Sequence, residues 1–250
     1  METKFIDIHS HLDMCENIPE IVETCNEKKI KIVTCGVNPK INRKTLKLKE
    51  KYPEIEICLG VYPVDSFKLS EKKIQKEINF VRDKRDKIFG VGEVGLDLHY
   101  DKSPEKYELQ KRNFEKFIKL AVELNKPLFV HSRDAEKETI ELLEKFNYGK
   151  IVMHCFSGNM NLVKRIIKNG WFLSIPASVK YNEHFQKVVE LTPIENLFCE
   201  TDSPFLHPNR EKNNASENVI ESYKKISEIK KMKIEKVCEK IMENLDRLKS

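Results

Sequence analysis

Apolar residues in this chain follow two alternating patterns. Short unbroken runs such as KFIDIH at the start, KIVTCGV at 31–37 and IEICLGV at 55–61 have the length and β-branched content of buried strands. Between them lie longer stretches in which apolar positions return every three or four residues, the spacing of an amphipathic helix. The first such helix is expected near 17–28, the second near 40–50 and the third near 70–85. IFGVGEVGLD at 88–97 supplies the next strand, and a long helix over about 104–125 follows, with Phe114, Phe117, Ile118, Ala121 and Leu124 on one face. PLFVHS at 127–132 opens another unit, whose helix near 134–146 is expected to be closed by Gly149. KIVMHCFSG at 150–158, a helix running to Gly170, WFLSI at 171–175, a helix near 182–191 and LFCETDSP at 197–204 complete the series. The tail, 216–248, reads as two helices, and Ile234, Val237, Ile241, Leu245 and Leu248 form a stripe along the last part of it.

About eight strands alternating with helices, in a chain close to the ~250 residues typical of such folds, predict an α/β architecture of the TIM-like (β/α)8 barrel type. A single barrel domain is expected over 1–250, with the C-terminal helices packed on it; a doubly wound open sheet is the alternative that alternation alone allows. The 250 residues are 40% hydrophobic and 34% charged, with no candidate membrane span, so a globular protein is expected. The first strand is expected to begin near Lys4, and no secretion signal is expected ahead of it. Seven cysteines without a CxxC pair fit a reducing, cytoplasmic setting. The formal charge of +5 permits a polyanionic partner without requiring one.

In a parallel barrel the active site lies at the carboxyl ends of the strands, so the informative residues are the polar ones that terminate apolar runs. His9 and His11 end the first run, one residue apart and therefore on the same face. Glu93 ends the fourth, His131 the fifth, His154 the sixth and Asp202 the eighth. Each alone has an ordinary structural explanation, such as a hydrogen-bonded interior histidine or a turn cap. Six metal-competent side chains on the same rim of one barrel seldom arise that way. Six donors exceed what one tetrahedral ion takes and suit two divalent ions sharing a carboxylate, for which Glu93 in the glycine-flanked GEVG is the candidate. Gly92 and Gly95 beside it permit a bulge and a close approach of backbone. Asp7 and Glu200, each two residues before a candidate ligand, are candidates to orient imidazole rings, with an ordinary buried ion pair as the alternative. His99, His184 and His207 do not end strands and are expected on the surface or in loops.

The motifs DIHSHLD, GEVGLD, PLFVHSRDA, HCFSG and ETDSPFL, in this order and spacing, closely resemble the TatD family of metal-dependent deoxyribonucleases, within the amidohydrolase-like metal-dependent hydrolases. The resemblance covers nearly the whole chain. It implies that His9, His11, Glu93 and Asp202 hold one divalent ion, and that Glu93, His131 and His154 hold the other. It implies hydrolysis of DNA, from the 3′ ends of single strands, with Mg or Mn in activity and Zn as a further occupant. Two positions depart from the family pattern: Tyr62 in LGVYP where a histidine is frequent, and Ala215 and Ser216 where many relatives carry Glu-Pro. Both fall in loops that would meet substrate.

Paired divalent ions acidify a bound water and neutralise charge on a phosphoryl oxygen, so phosphodiester hydrolysis is the expected chemistry, with Glu93 and Asp202 as the catalytic carboxylates and Asp202 orienting the water or taking its proton. Arg133, Arg210 and Lys212 are candidate phosphate contacts, and Tyr62 or Phe156 a candidate base-stacking surface. The rival reading is a binuclear amidohydrolase, deaminase or aminoacyl-ester hydrolase acting on a small molecule; many binuclear amidohydrolases carry a lysine where this chain has Glu93. Cys155 follows His154, but neighbours on a strand face opposite ways, and Ser132 and Ser203 lack a strained G-x-S-x-G setting, so a covalent nucleophile is not expected. A monomer is sufficient for this reading, which leaves the oligomeric state open.

Overall fold

A computed structural model describes residues 4–250. Eight parallel strands lie side by side in chain order: β1 (Phe5–Ser10), β2 (Ile30–Cys35), β3 (Glu56–Leu59), β4 (Gly90–Gly95), β5 (Leu128–His131), β6 (Ile151–His154), β7 (Phe172–Pro176) and β8 (Leu197–Glu200). Helices alternate with them: α1 (Ile18–Glu27), α2 (Pro39–Lys51), a single turn α3 (Pro63–Ser66), α4 (Glu71–Asp83), α5 (Pro104–Leu124), α6 (Glu136–Leu143), α7 (Met160–Lys168), α8 (Glu183–Leu191), α9 (Val219–Lys230) and α10 (Ile234–Lys249). The result is a nearly closed (β/α)8 barrel. Its strands are covered on both sides, which is why they read as unbroken apolar runs rather than as alternating ones; every residue of β1, β4, β6, β7 and β8 is buried.

Local chemistry places the helix starts. The Asn38 side chain accepts hydrogen bonds from the backbone N–H groups of Lys40 and Ile41, with Pro39 at the first helical position of α2. Asn159 does the same for α7 through Asn161 and Leu162. The helix after β5 ends differently from expectation. Asn147, at φ 46°, takes the left-handed conformation that closes this segment, two residues ahead of Gly149, because an asparagine tolerates that region nearly as well as glycine does. The one-turn α3 has no counterpart in the sequence pattern, since four residues are too few to display a helical period.

Among the described residues the barrel closes at β1 and β8 without a backbone ladder between them. Side chains supply the missing bonds. The Tyr223 hydroxyl, on α9 and fully buried, accepts from the N–H of Ile6 at 2.9 Å and donates to its carbonyl at 3.2 Å. The Asp7 carboxylate accepts from both the N–H and the hydroxyl of Thr201 at 2.8 and 2.7 Å. Beyond these the strand ends meet directly, Asp202 N–H donating to the His9 carbonyl and His11 N–H to that of Ser203. A Tyr223→Phe variant is expected to lose about 1–3 kcal/mol, because two buried backbone groups of Ile6 are left unpaired. Thermal denaturation checks this, with a fall of about 5 °C in Tm expected for a chain of this size.

Candidate metal centre

The six side chains converge at the carboxyl end of the barrel. His9 lies inside β1 and His11 one residue past it; their Nε2 atoms are 3.3 Å apart. His131 and His154 are the last residues of β5 and β6, with His131 Nδ1 3.3 Å from His154 Nε2. Glu93 stands between the two pairs. Its Oε2 is 3.3 Å from His11 Nε2 and 3.7 Å from His9 Nε2, while its Oε1 is 3.0 Å from His131 Nδ1 and 3.1 Å from His154 Nε2. Asp202, two residues past β8 at φ 52°, turns its Oδ1 to within 3.4 Å of His11 and 3.6 Å of His9. Aspartate is among the few residues that enter this backbone region at low cost, and the turn is what aims it inward.

The glycines beside Glu93 act as the sequence predicts. Pairing between β4 and β5 shifts register between Val91 and Val94, and a Cβ on Gly95, at φ 144°, would sit 1.9 Å from the His131 carbonyl oxygen.

Hydrogen bonds from behind anchor three of the four imidazoles, and a facing carboxylate stands behind the fourth, His154. His11 Nδ1 lies 3.0 Å from the Cys35 carbonyl and donates its proton there, so Nε2 is the nitrogen turned inward. His9 Nδ1 lies 3.4 Å from Cys35 Sγ. His154 has Nδ1 toward Glu200, 3.6 Å away, and Nε2 inward. His131 is reversed: its Nε2 meets Asp97 at 3.0 Å and its Nδ1 faces Glu93. Of the two carboxylates expected to orient rings, Glu200 faces one, and Asp7 faces none. Asp7 is turned to Thr201 at the β1–β8 joint, where burial pushes its pKa up to about 8 against the hydrogen bonds that lower it.

Asp97 is the acid that sequence reasoning overlooked. Its Oδ2 meets His131, the Tyr62 hydroxyl and both Nε and an Nη of Arg133, the last two at 3.1 and 2.8 Å. Burial works to raise its pKa, but the bonds from His131, Tyr62 and Arg133 outweigh that and hold the carboxyl well below the usual range. It stands last in GEVGLD, in a loop beyond the strand end; the second acid of that motif was the only available signal.

Glu93 is held in the same way. Burial opposes its charge, but the surrounding imidazoles, His154 foremost, keep its pKa well below that of an ordinary carboxylate. Three overlapping donor groups result: His9, His11 and Glu93; Glu93, His131 and His154; and His9, His154 and Asp202, each with ligand atoms within 4.8 Å of one another. With their inward nitrogens deprotonated, four imidazoles grouped around an ionised carboxylate form a set that divalent cations fit. Cys155 lines the cavity and is only partly buried, so it does not turn away from the centre as strand alternation predicts, because its backbone leaves the strand at φ 44°; burial, followed by the charges of Glu200, Asp202 and Glu93, holds its thiol pKa well above the ordinary range.

The centre opens into a cavity of about 800 Å3. Tyr62 and Arg133 line it, with Arg133 also 4.6 Å over the Tyr100 ring. Arg210 does not line it; that side chain is exposed and lies 4.4 Å over Tyr181. Phe156 is buried and packs in the core, so it offers no stacking face. The apolar surface at the mouth comes instead from Met14, Tyr100 and Phe205, which are among the exposed large hydrophobic side chains. Of the histidines assigned to loops, His99 is exposed beside Asp134, His184 lies 3.1 Å from the Phe156 carbonyl and His207 accepts from the Asn209 N–H. None of them enters the cluster.

The sequence model of the family described as TatD related DNase matches residues 6–250. The chain is 34% identical over 246 residues to an uncharacterized metal-dependent hydrolase of Methanocaldococcus jannaschii, a match covering 97% of this chain and 96% of that protein. It is 29% identical over 252 residues to the deoxyribonuclease TATDN3 of Homo sapiens, covering 96% and 92%. The crystal structure of a TatD homolog from Escherichia coli has the same fold, with a TM-score of 0.90 at 22% identity over 99% of this chain and 98% of that one.

Proposed function

Since this chain belongs to the TatD related DNase family, a family of metal-dependent hydrolases, we propose that it is a deoxyribonuclease that cleaves phosphodiester bonds at a binuclear centre, removing nucleotides from the 3′ ends of single-stranded DNA. The observation that carries this reading is the position of Glu93, one ionised carboxylate within 3.0–3.7 Å of four imidazole nitrogens. His9, His11, Glu93 and Asp202 would hold one ion, and Glu93, His131 and His154 the other. Bound there, the ions supply an acidified water and positive charge opposite a phosphoryl oxygen.

The remaining roles belong to the protein. Asp202 lines the cavity with its side chain 15% exposed, so its carboxylate is free to orient the attacking water and take its proton. Arg133, steadied by Asp97, presents its guanidinium to a phosphate oxygen. Tyr62 has its hydroxyl committed to Asp97, which makes it a positioning residue for Arg133 and His131. Tyr100 and Phe205 offer exposed ring faces to bases at the mouth. A 5′-labelled single-stranded oligonucleotide, incubated with protein and Mn or Mg, is expected to give a ladder shortening from its 3′ end and abolished by EDTA. No ladder with any ion, alongside turnover of amides or aminoacyl esters, would favour the amidohydrolase or ester-hydrolase alternative.

A further inference from the structure

One wall of the cavity is shared with a second, more open groove of about 600 Å3 on the outside of the barrel, between α2 and α4. Asn38, Asp65 and Lys68 belong to both: the Asn38 amide donates to Asp65 Oδ2 and Lys68 Nζ to Asp65 Oδ1, each at 3.0 Å. Beyond this wall α2 contributes Lys40 and Arg43 and α4 contributes Lys73 and Lys76, in each case three residues apart and on one helix face. Two carboxylates line the groove, and both are occupied, Asp65 by Lys68 and Glu77 by Arg43. Lys40, Lys73 and Lys76 are exposed and take part in none of the ion pairs among the described residues.

The cavity has the opposite balance. Its cations, Lys68 and Arg133, are paired with Asp65 and Asp97, while Asp65, Glu93 and Asp202 all face it. Beyond Arg133 and the proposed ions, which serve the scissile phosphate, it has little cationic charge for the rest of a backbone that carries a negative charge at every nucleotide, whereas the adjoining groove has a surplus. Hydrated ammonium groups with no base-edge donors around them fit phosphates regardless of sequence.

We infer that the α2–α4 groove is a track for the phosphates of a single nucleic-acid strand whose 3′ end lies in the cavity, with Lys40, Lys73 and Lys76 as its contacts. The strand polarity and the chemistry at its end rest on the nuclease reading above; binding in the groove does not. The test is the triple variant Lys40→Glu, Lys73→Glu, Lys76→Glu, compared with the parent and with a control of equal charge change at exposed lysines outside the groove, Lys145→Glu, Lys164→Glu, Lys168→Glu. Metal-loaded protein is titrated with a fluorescent phosphorothioate strand of about twenty nucleotides across a salt series, and turnover of the ordinary strand is compared with that of a dinucleotide.

The groove variant is expected to bind the strand about tenfold more weakly and to reduce the log-affinity against log-salt slope by about 2, near 0.7 for each phosphate that is no longer neutralised. Its dinucleotide kcat, its Tm and the behaviour of the control are expected to match the parent. Strand affinity and salt slope unchanged in the groove variant, or weakened equally in the control, would overturn the inference. Lysine-dependent binding without turnover of either substrate by any protein would retain the track and discard the nuclease reading.

Discussion

A Glu93→Gln variant is expected to hydrolyse a metal-supported phosphodiester substrate at least about a thousandfold more slowly than the parent, equivalent to ~4 kcal/mol in the activation barrier. The size of the effect follows from what one atom changes. Glutamine keeps the volume and one oxygen, so the packing against the barrel interior is preserved. The negative charge is removed, and an N–H2 group takes the place of an oxygen that faces two imidazole donors. Whichever way the amide is turned, one histidine pair loses its carboxylate oxygen, at 3.0 and 3.1 Å on the β5–β6 side or 3.3 and 3.7 Å on the β1 side. The remaining members of either group cannot replace it, because among the described residues no other carboxylate lies within 4 Å of both histidine pairs. Steady-state kinetics, with bound metal counted in the same preparation, measure this. Parental kcat with an unchanged metal count would remove Glu93 from the centre.

Stripping divalent ions is expected to lower the Tm by roughly 10 °C, and restoring Mn or Zn to recover it. A ligand that binds only the folded chain stabilises it by about 4 kcal/mol at a thousand times its Kd, and in a protein of this length each kcal/mol moves the midpoint by about 2–4 °C. The cluster is suited to such coupling, since His9, His11, Glu93 and His154 are buried and come from strands far apart in the chain. Scanning calorimetry with EDTA and then with a metal titration gives the number, and His9→Ala is expected to lose most of the shift. A midpoint indifferent to EDTA, in protein shown to contain metal beforehand, would contradict it.

The legibility of the barrel, and of the six side chains that converge at its rim, has a physical origin. A parallel strand covered on both faces permits few polar residues except where it emerges, so His131 and His154 announce the rim by ending runs that are otherwise apolar. Asp97 escaped because it belongs to a loop, where no period constrains a side chain, and because its partners come from three other segments. Asp7 was misjudged for a different reason. Alternation along a strand states which face a side chain takes, but not which neighbour it meets, and the residue that Asp7 meets follows β8, across the joint where the ladder is missing. Phe156 and Arg210 show the same boundary: residue type identifies what each is able to do, while burial of one and the stacking of the other over Tyr181 keep both out of the cavity lining.

The side-chain joint between the first and last strands also governs when the centre comes into being. His9 and His11 leave the ribosome long before Asp202 and the tyrosine that ties α9 to Ile6. A nascent chain therefore carries most of its donors well before it has anything to fasten them with. Any cation taken up between His9 and Asp202 acts as the clasp of a bracelet, closing a ring whose two ends are otherwise held by two backbone hydrogen bonds, a few hydroxyls and a carboxylate.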